Sequence, residues 1–301
     1  ICKNLDIQKV TCSNISIFGM GGSGTGGELV NSLVDDKINI PLMFFHHYNV
    51  PGFISSDSLC LLVSYSGDTE EILQVYDTVK SRKAHIIIYA SGGLLLEKAI
   101  RDNIQYVKIP SGYQPRCALA FLFLPLLYTL YSLSLIPDPG KDIEKSIEIL
   151  KILRDKSCRH IPSEKNYAKS LAIKLAGTIP LIYSSRSYLE PVAKRWKNQL
   201  NENAKTMAFY DNFPELCHNT ICAWDKTEDN YYRAKMNIAI NQDKNDYCIL
   251  NYEDNSIKKY IDLLDTNIIY FSSDHILDKG IYIENNQIVY NYNDDKSIIM
   301  N

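Results

Sequence analysis

The chain has no block of lysines and arginines. Its 32 basic residues against 35 acidic ones leave a formal net charge of −3, so a nucleic acid is not an expected partner. None of the eight cysteines sits in a C-x-x-C pair, and the six histidines have no ligand-like spacing, so no metal site is expected. No secretory signal opens the sequence, which points to reduced thiols and a cytoplasmic location. A second long apolar run is also missing. The one present, Cys117–Pro137 (CALAFLFLPLLYTLYSLSLIP), is uncharged and long enough to cross a bilayer. Pro125 in its middle and its several hydroxyl groups favour a helix buried between two lobes, with no membrane partner.

What the chain does have is glycine in one place. Residues 15–28 read ISIFGMGGSGTGGE, with six glycines in nine positions after a short apolar strand. A helical pattern follows. Such a turn lets backbone N–H groups approach a ligand closely. The helix behind it aims its positive end at the same point. A phosphate is the expected ligand.

Strands and helices alternate from there. Strands are expected at 15–18, 41–45 (PLMFF), 58–64 (SLCLLVS), 85–90 (HIIIYA) and 106–109, with helices between them. Continuous apolar strands alternating with helices mean βαβ units and a parallel sheet covered on both faces. PDPGKD at 137–142 breaks the pattern. A charged helical connector over 142–154 then leads to a second α/β pattern, with strands at 178–183, 206–210, 220–224, 247–250 and 267–271. The expected fold is α/β, two doubly wound parallel-sheet lobes of flavodoxin-like type in tandem. The expected lobes are residues 1–137 and 138–301. The tail from about Gly280 alternates apolar and polar residues, with many Asn and Asp, and is not assigned to an element.

Gly19, Gly21 and Gly24 fit the dinucleotide fingerprint G-x-G-x-x-G. That fold also wants an acidic residue closing the second strand, and here the strand closes on FFHHYN. No nicotinamide or flavin cofactor is therefore expected. The third strand runs instead into SYSGDTEE, placing the hydroxyls of Ser64, Ser66 and Thr69 around one glycine. Hydroxyls beside a helix N-terminus suit a phosphate monoester. A helix cap would account for Thr69 with Glu70 and Glu71, but not for Ser64 and Ser66.

GMGGSG together with SYSGDTEE resembles the sugar isomerase (SIS) domain. SGYQPRCAL at 111–119, SYLEPVAKRWKNQLNENAK at 187–205 and ELCHN at 215–219 extend the likeness. In order, these segments resemble the bifunctional phosphoglucose/phosphomannose isomerases, which carry two SIS lobes. The resemblance implies interconversion of glucose 6-phosphate or mannose 6-phosphate with fructose 6-phosphate, without metal or cofactor, by a homodimer. It implies that Gly22, Ser23, Ser64, Ser66 and Thr69 take the phosphate. Moving a proton between C1 and C2 through a cis-enediol needs a base, a ring-opening group and a cation at the enediolate oxygen. The resemblance assigns these to Glu202, His218 and Arg116, with His218 given across the dimer interface. Burying a guanidinium unpaired is expensive, so the expected partner of Arg116 is a substrate oxyanion or a structural carboxylate, and the resemblance implies the former.

Two positions depart from the family pattern. Asp68 stands where asparagine is commoner, and its charge weakens phosphate binding unless it points away. Lys296 lies as far from the end as the family's active-site lysine, but in YNYNDDKSIIMN, a poor helix. These departures leave a second expectation, a sugar-phosphate sensor that keeps the phosphate loops and has lost turnover.

Overall fold

The computed structural model describes residues 7–185, 187–220, 242–292 and 295–300. The chain divides into two compact units, Ile1–Phe213 and Pro214–Asn301. In the first, strands β1 (Asn14–Gly19), β2 (Leu42–Phe45), β3 (Ser58–Val63), β4 (His85–Ala90) and β5 (Gln105–Lys108) form one parallel sheet in the order β2-β1-β3-β4-β5. All six residues of β3 are buried, as an apolar central strand covered on both faces must be.

Successive side chains of a strand point to opposite faces, and the core divides accordingly. Ile15, Ile17, Leu59, Leu61, Val63 and Ile87 share one apolar cluster with residues of helices α1 (Gly21–Val34) and α4 (Leu119–Ser132). Phe18, Cys60, Leu62, Ile86 and Ile88 share the other with α2 (Glu70–Ser81) and α3 (Gly93–Arg101). This is the doubly wound arrangement. The apolar run at 117–137 thus becomes α4, inside the first unit against α1, through Leu122, Leu126 and Leu130. Among the described residues no helix is long and apolar enough to cross a membrane.

A side chain on Gly24 would bring its Cβ within 2.6 Å of the Gly19 carbonyl oxygen. Part of the glycine run therefore serves packing, letting α1 lie close against β1. The helix starts at Gly21, so Gly21 and Gly22 belong to its first turn.

The connector is helix α5 (Gly140–Ser157). Then come α6 (Tyr167–Leu175), β6 (Leu181–Ser184), α7 (Glu190–Asn203) and β7 (Phe209–Asn212), with β6 and β7 paired in parallel. The Asn166 side chain caps α6, its oxygen accepting from the Lys169 N–H at 3.1 Å.

The second unit has its own five-stranded sheet. β8 (Tyr247–Asn251), β9 (Asn267–Ser272) and β10 (Gly280–Glu284) are parallel. β11 (Gln287–Tyr292) and β12 (Asp295–Met300) add to it in antiparallel fashion. Asn285 and Asn286 join β10 to β11 with φ of 51° and 64°, the two left-handed residues of a tight hairpin. A short helix, α8 (Asn255–Lys258), follows β8. The strand expected at 220–224 falls, beyond Thr220, outside the described residues.

Candidate functional site

Strand β1 pairs with β2 on one side and with β3 on the other, and Gly19 stands opposite Val63 in the register. The chain therefore switches direction across the sheet between β1 and β3. Ligands of open α/β sheets bind in the crevice at such a point, beyond the carboxyl ends of the strands. The glycine turn and the loop 64–69 leave the sheet there, side by side.

Each loop opens a helix. The Gly24 N–H donates to the Met20 carbonyl at 2.9 Å, and the Leu73 N–H to the Thr69 carbonyl at 3.0 Å. The N–H groups of the turn before each have no partner within their own helix. Both helix N-termini present positive partial charge.

The hydroxyls hold the two loops in register. Ser23 Oγ accepts from the Tyr65 N–H at 3.0 Å. Ser64 is fully buried, accepts from the Gly67 N–H at 3.1 Å, and shares a 2.8 Å bond with Thr69 Oγ1. Thr69 makes no capping bond to α2, so capping does not explain its hydroxyl. Ser66 is exposed, its Oγ accepting from the Asp68 N–H at 3.2 Å. Gly67 holds a φ of 81°, and a Cβ there would lie 1.9 Å from the Gly92 carbonyl oxygen. Only glycine fits.

Asp68 turns to α3: its Oδ1 accepts from the Leu94 N–H at 2.9 Å, in that helix's first turn. Its charge is thus met by the positive end of α3.

Arg116 lies on a 3₁₀ turn, Pro115–Cys117, directly before α4. Pro115 stands against Gly22, within 3.6 Å of where a Cβ on that glycine would be, which sets the turn beside the glycine loop. Arg116 is exposed, so water can solvate its guanidinium and no structural carboxylate is needed to hold it.

Glu202 is the next-to-last residue of α7 and is exposed. Two features that local pattern did not reveal place this helix. Arg195 Nη2 donates to the Arg116 carbonyl oxygen at 2.8 Å, and Lys194 pairs with Glu28 of α1. Arg195 and Glu202 are seven residues apart, so they share a helix face, about 10 Å apart along the axis.

His218 ends a 3₁₀ turn, Glu215–His218, in the second unit and is exposed. Lys296 is on strand β12 rather than on a helix. Its Nζ donates to Glu284 at 2.7 Å and lies 5.7 Å above the Tyr282 ring. The bond to Glu284, and next the one to Tyr282, raise its pKa. Among the described residues no three His, Cys, Asp or Glu side chains gather as a metal site.

The family model of the bacterial phospho-glucose isomerase C-terminal SIS domain matches residues 164–268. A bifunctional phosphoglucose/phosphomannose isomerase of Caldicellulosiruptor bescii is 41% identical over 216 residues, 72% of this chain and 62% of that one. The chain thus spans less than two thirds of that relative's length. A D-glucosamine-6-phosphate 4-epimerase of Sulfolobus acidocaldarius is 31% identical over 238 residues, 78% of this chain and 71% of that one. Among solved structures, the C-terminal domain of glucosamine-fructose-6-phosphate aminotransferase from Francisella tularensis aligns with a TM-score of 0.54. It covers 91% of this chain and 77% of its own, at 15% identity, a likeness of fold.

Proposed function

Because the chain belongs to the family of the bifunctional phosphoglucose/phosphomannose isomerases, we propose that it interconverts glucose 6-phosphate, and mannose 6-phosphate, with fructose 6-phosphate. One observation carries this reading: two helix N-termini and a hydroxyl loop converge at the sheet's switch point, with Arg116 on the adjoining turn. The phosphate sits between Gly22 and Ser23 on one side and Ser66 and Thr69 on the other. Ser64 shapes the loop from beneath.

The sugar's reacting end reaches away from this anchor. Glu202 takes the proton from C2 of the aldose or C1 of the ketose and returns it to the neighbouring carbon. Arg116 offsets the charge that develops on the enediolate oxygen. The partner subunit's His218 passes a proton to and from the ring oxygen, its imidazole able to accept the proton on one nitrogen and give it back. The working form is then a homodimer in the cytoplasm, acting without metal or cofactor.

A coupled assay starting from fructose 6-phosphate, with separate glucose and mannose readouts and a chelator present, tests the proposal. Formation of either aldose supports it. A dimer that binds fructose 6-phosphate and never yields aldose overturns it. That outcome would favour the second reading, a sugar-phosphate-binding protein without turnover. Lys296 speaks for this one, since it is committed to Glu284 on a strand.

A further inference from the structure

Tyr65 follows β3 between two of the hydroxyl residues and is 7% exposed. It touches three other strand ends at once. Its N–H donates to Ser23 Oγ at 3.0 Å, after β1. Its carbonyl accepts from the Ser91 N–H at 2.9 Å and from Ser91 Oγ at 2.6 Å, after β4. Its phenol reaches past β5, donating to the Pro110 carbonyl at 3.0 Å and accepting from the Tyr113 N–H at 2.9 Å.

The phenol contacts differ in kind from the others. The main-chain bonds hold loop to loop and survive any side chain. Among the described residues the hydroxyl links the 64–69 loop to the segment 110–117 by hydrogen bonds, and a tyrosine hydroxyl has one proton to donate, which Pro110 takes. Residues 111–117 are all exposed, so little packing fixes them. The segment is steadied by the Tyr113–Phe121 ring contact at 5.1 Å, by Pro115 against Gly22, and by Arg195 on the Arg116 carbonyl. It carries Arg116, which has to meet an oxygen several carbons from the phosphate.

We propose that Tyr65 is a positioning residue for Arg116: its hydroxyl sets the spacing between the phosphate-binding loop and the guanidinium that stabilises the enediolate. The inference rests on the isomerase reading. Uniform binding through the phosphate does not need this strut. Stabilisation of the transition state does, since the anchored sugar and the cation must be in register.

The test is Tyr65→Phe, which keeps the ring and both main-chain contacts. The kcat is expected to fall about tenfold, while KM for fructose 6-phosphate stays within about twofold. In an Arg116→Ala background the same change should cost nothing further in kcat. Hydrogen exchange at the Tyr113 amide should quicken, while the Gly67 and Leu73 amides keep their rates. An unchanged kcat, or equal losses with and without Arg116, overturns the proposal. So does an unaltered Tyr113 exchange rate, a readout that needs no turnover. A wild-type protein that forms no aldose overturns the isomerase reading, and with it the catalytic role of the strut, even if the Tyr113 amide responds.

Discussion

Arg195 donates from Nη2 to the main-chain carbonyl oxygen of Arg116 at 2.8 Å. The bond ties α7 to the turn before α4, and so fixes where the face bearing Glu202 stands relative to Arg116. Arg195→Met keeps much of the apolar stem and removes the donor. The expected result is a fall in kcat of about tenfold with KM within about twofold, because a small misplacement of catalytic groups affects the chemical step first. Steady-state kinetics on fructose 6-phosphate reads this. A wild-type kcat would mean that the Lys194–Glu28 pair and the packing of α7 on α1 place the helix unaided.

Glu202→Gln keeps size and hydrogen-bonding capacity and removes the base. General-base catalysis contributes about 10²–10⁴-fold, so kcat should drop by that order while fructose 6-phosphate still binds. Exchange of substrate hydrogen with deuterated solvent should vanish in parallel. Retained exchange would assign the proton transfer to another group.

Ser66→Ala removes an exposed hydroxyl beside the proposed phosphate. A hydrogen bond to a charged group is worth about 1.5–3 kcal/mol, which corresponds to a rise in KM of roughly 10–100-fold. The kcat at saturation should hold. Ser64→Ala should behave differently, lowering the unfolding midpoint, because its buried hydroxyl serves Gly67 and Thr69. Identical responses from the two variants would contradict this division of roles.

The first sheet is legible in the sequence because its strands are continuous apolar runs and its turns are glycine. SLCLLV announces a central parallel strand, and all six residues are buried. The hairpin at Asn285-Asn286 is not legible. Its apolar–polar alternation is irregular, and asparagine pairs at positive φ are indistinguishable in sequence from a polar loop. Tyr65 is hidden for another reason. Its partners lie 42, 26, 45 and 48 residues away, so no local spacing encodes them. Arg195 is similar, its partner being 79 residues earlier.

Asp102 gives the fold a defined acid response. Its carboxylate accepts from Arg101 Nε at 2.9 Å, and from Lys80 Nζ and the Tyr76 hydroxyl at 2.5 Å, joining the end of α3 to α2. Arg101, then Lys80 and Tyr76, hold its pKa well below the usual carboxylate range. The unfolded chain therefore takes up this proton first as the pH falls. The stabilisation is complete above about pH 4 and is lost as the pH drops below it toward the depressed folded value. Chemical denaturation of wild type and Asp102→Asn should show a constant difference above about pH 5, narrowing below pH 4. A difference that grows on acidification would reverse the sign of the argument.

Asp68 separates a structural reading of the phosphate loop from an electrostatic one. An acid beside a phosphate dianion should repel it. The carboxylate instead accepts from the Leu94 N–H at 2.9 Å, so a residue of one loop caps the helix that follows another strand. A Cβ on Gly93 would lie 2.7 Å from that same oxygen, so the approach is close and depends on glycine. Asp68→Ala leaves the α3 terminus without its acceptor and should lower stability by about 1 kcal/mol, the usual worth of a cap. Asp68→Asn keeps an acceptor oxygen and should lose less. If the charge is spent on α3, KM for fructose 6-phosphate in Asp68→Asn should stay within about twofold of wild type, at low salt as well as at 0.15 M, where screening differs most. A KM that falls tenfold in the asparagine variant, and more so at low salt, would place the carboxylate in the field of the bound phosphate after all.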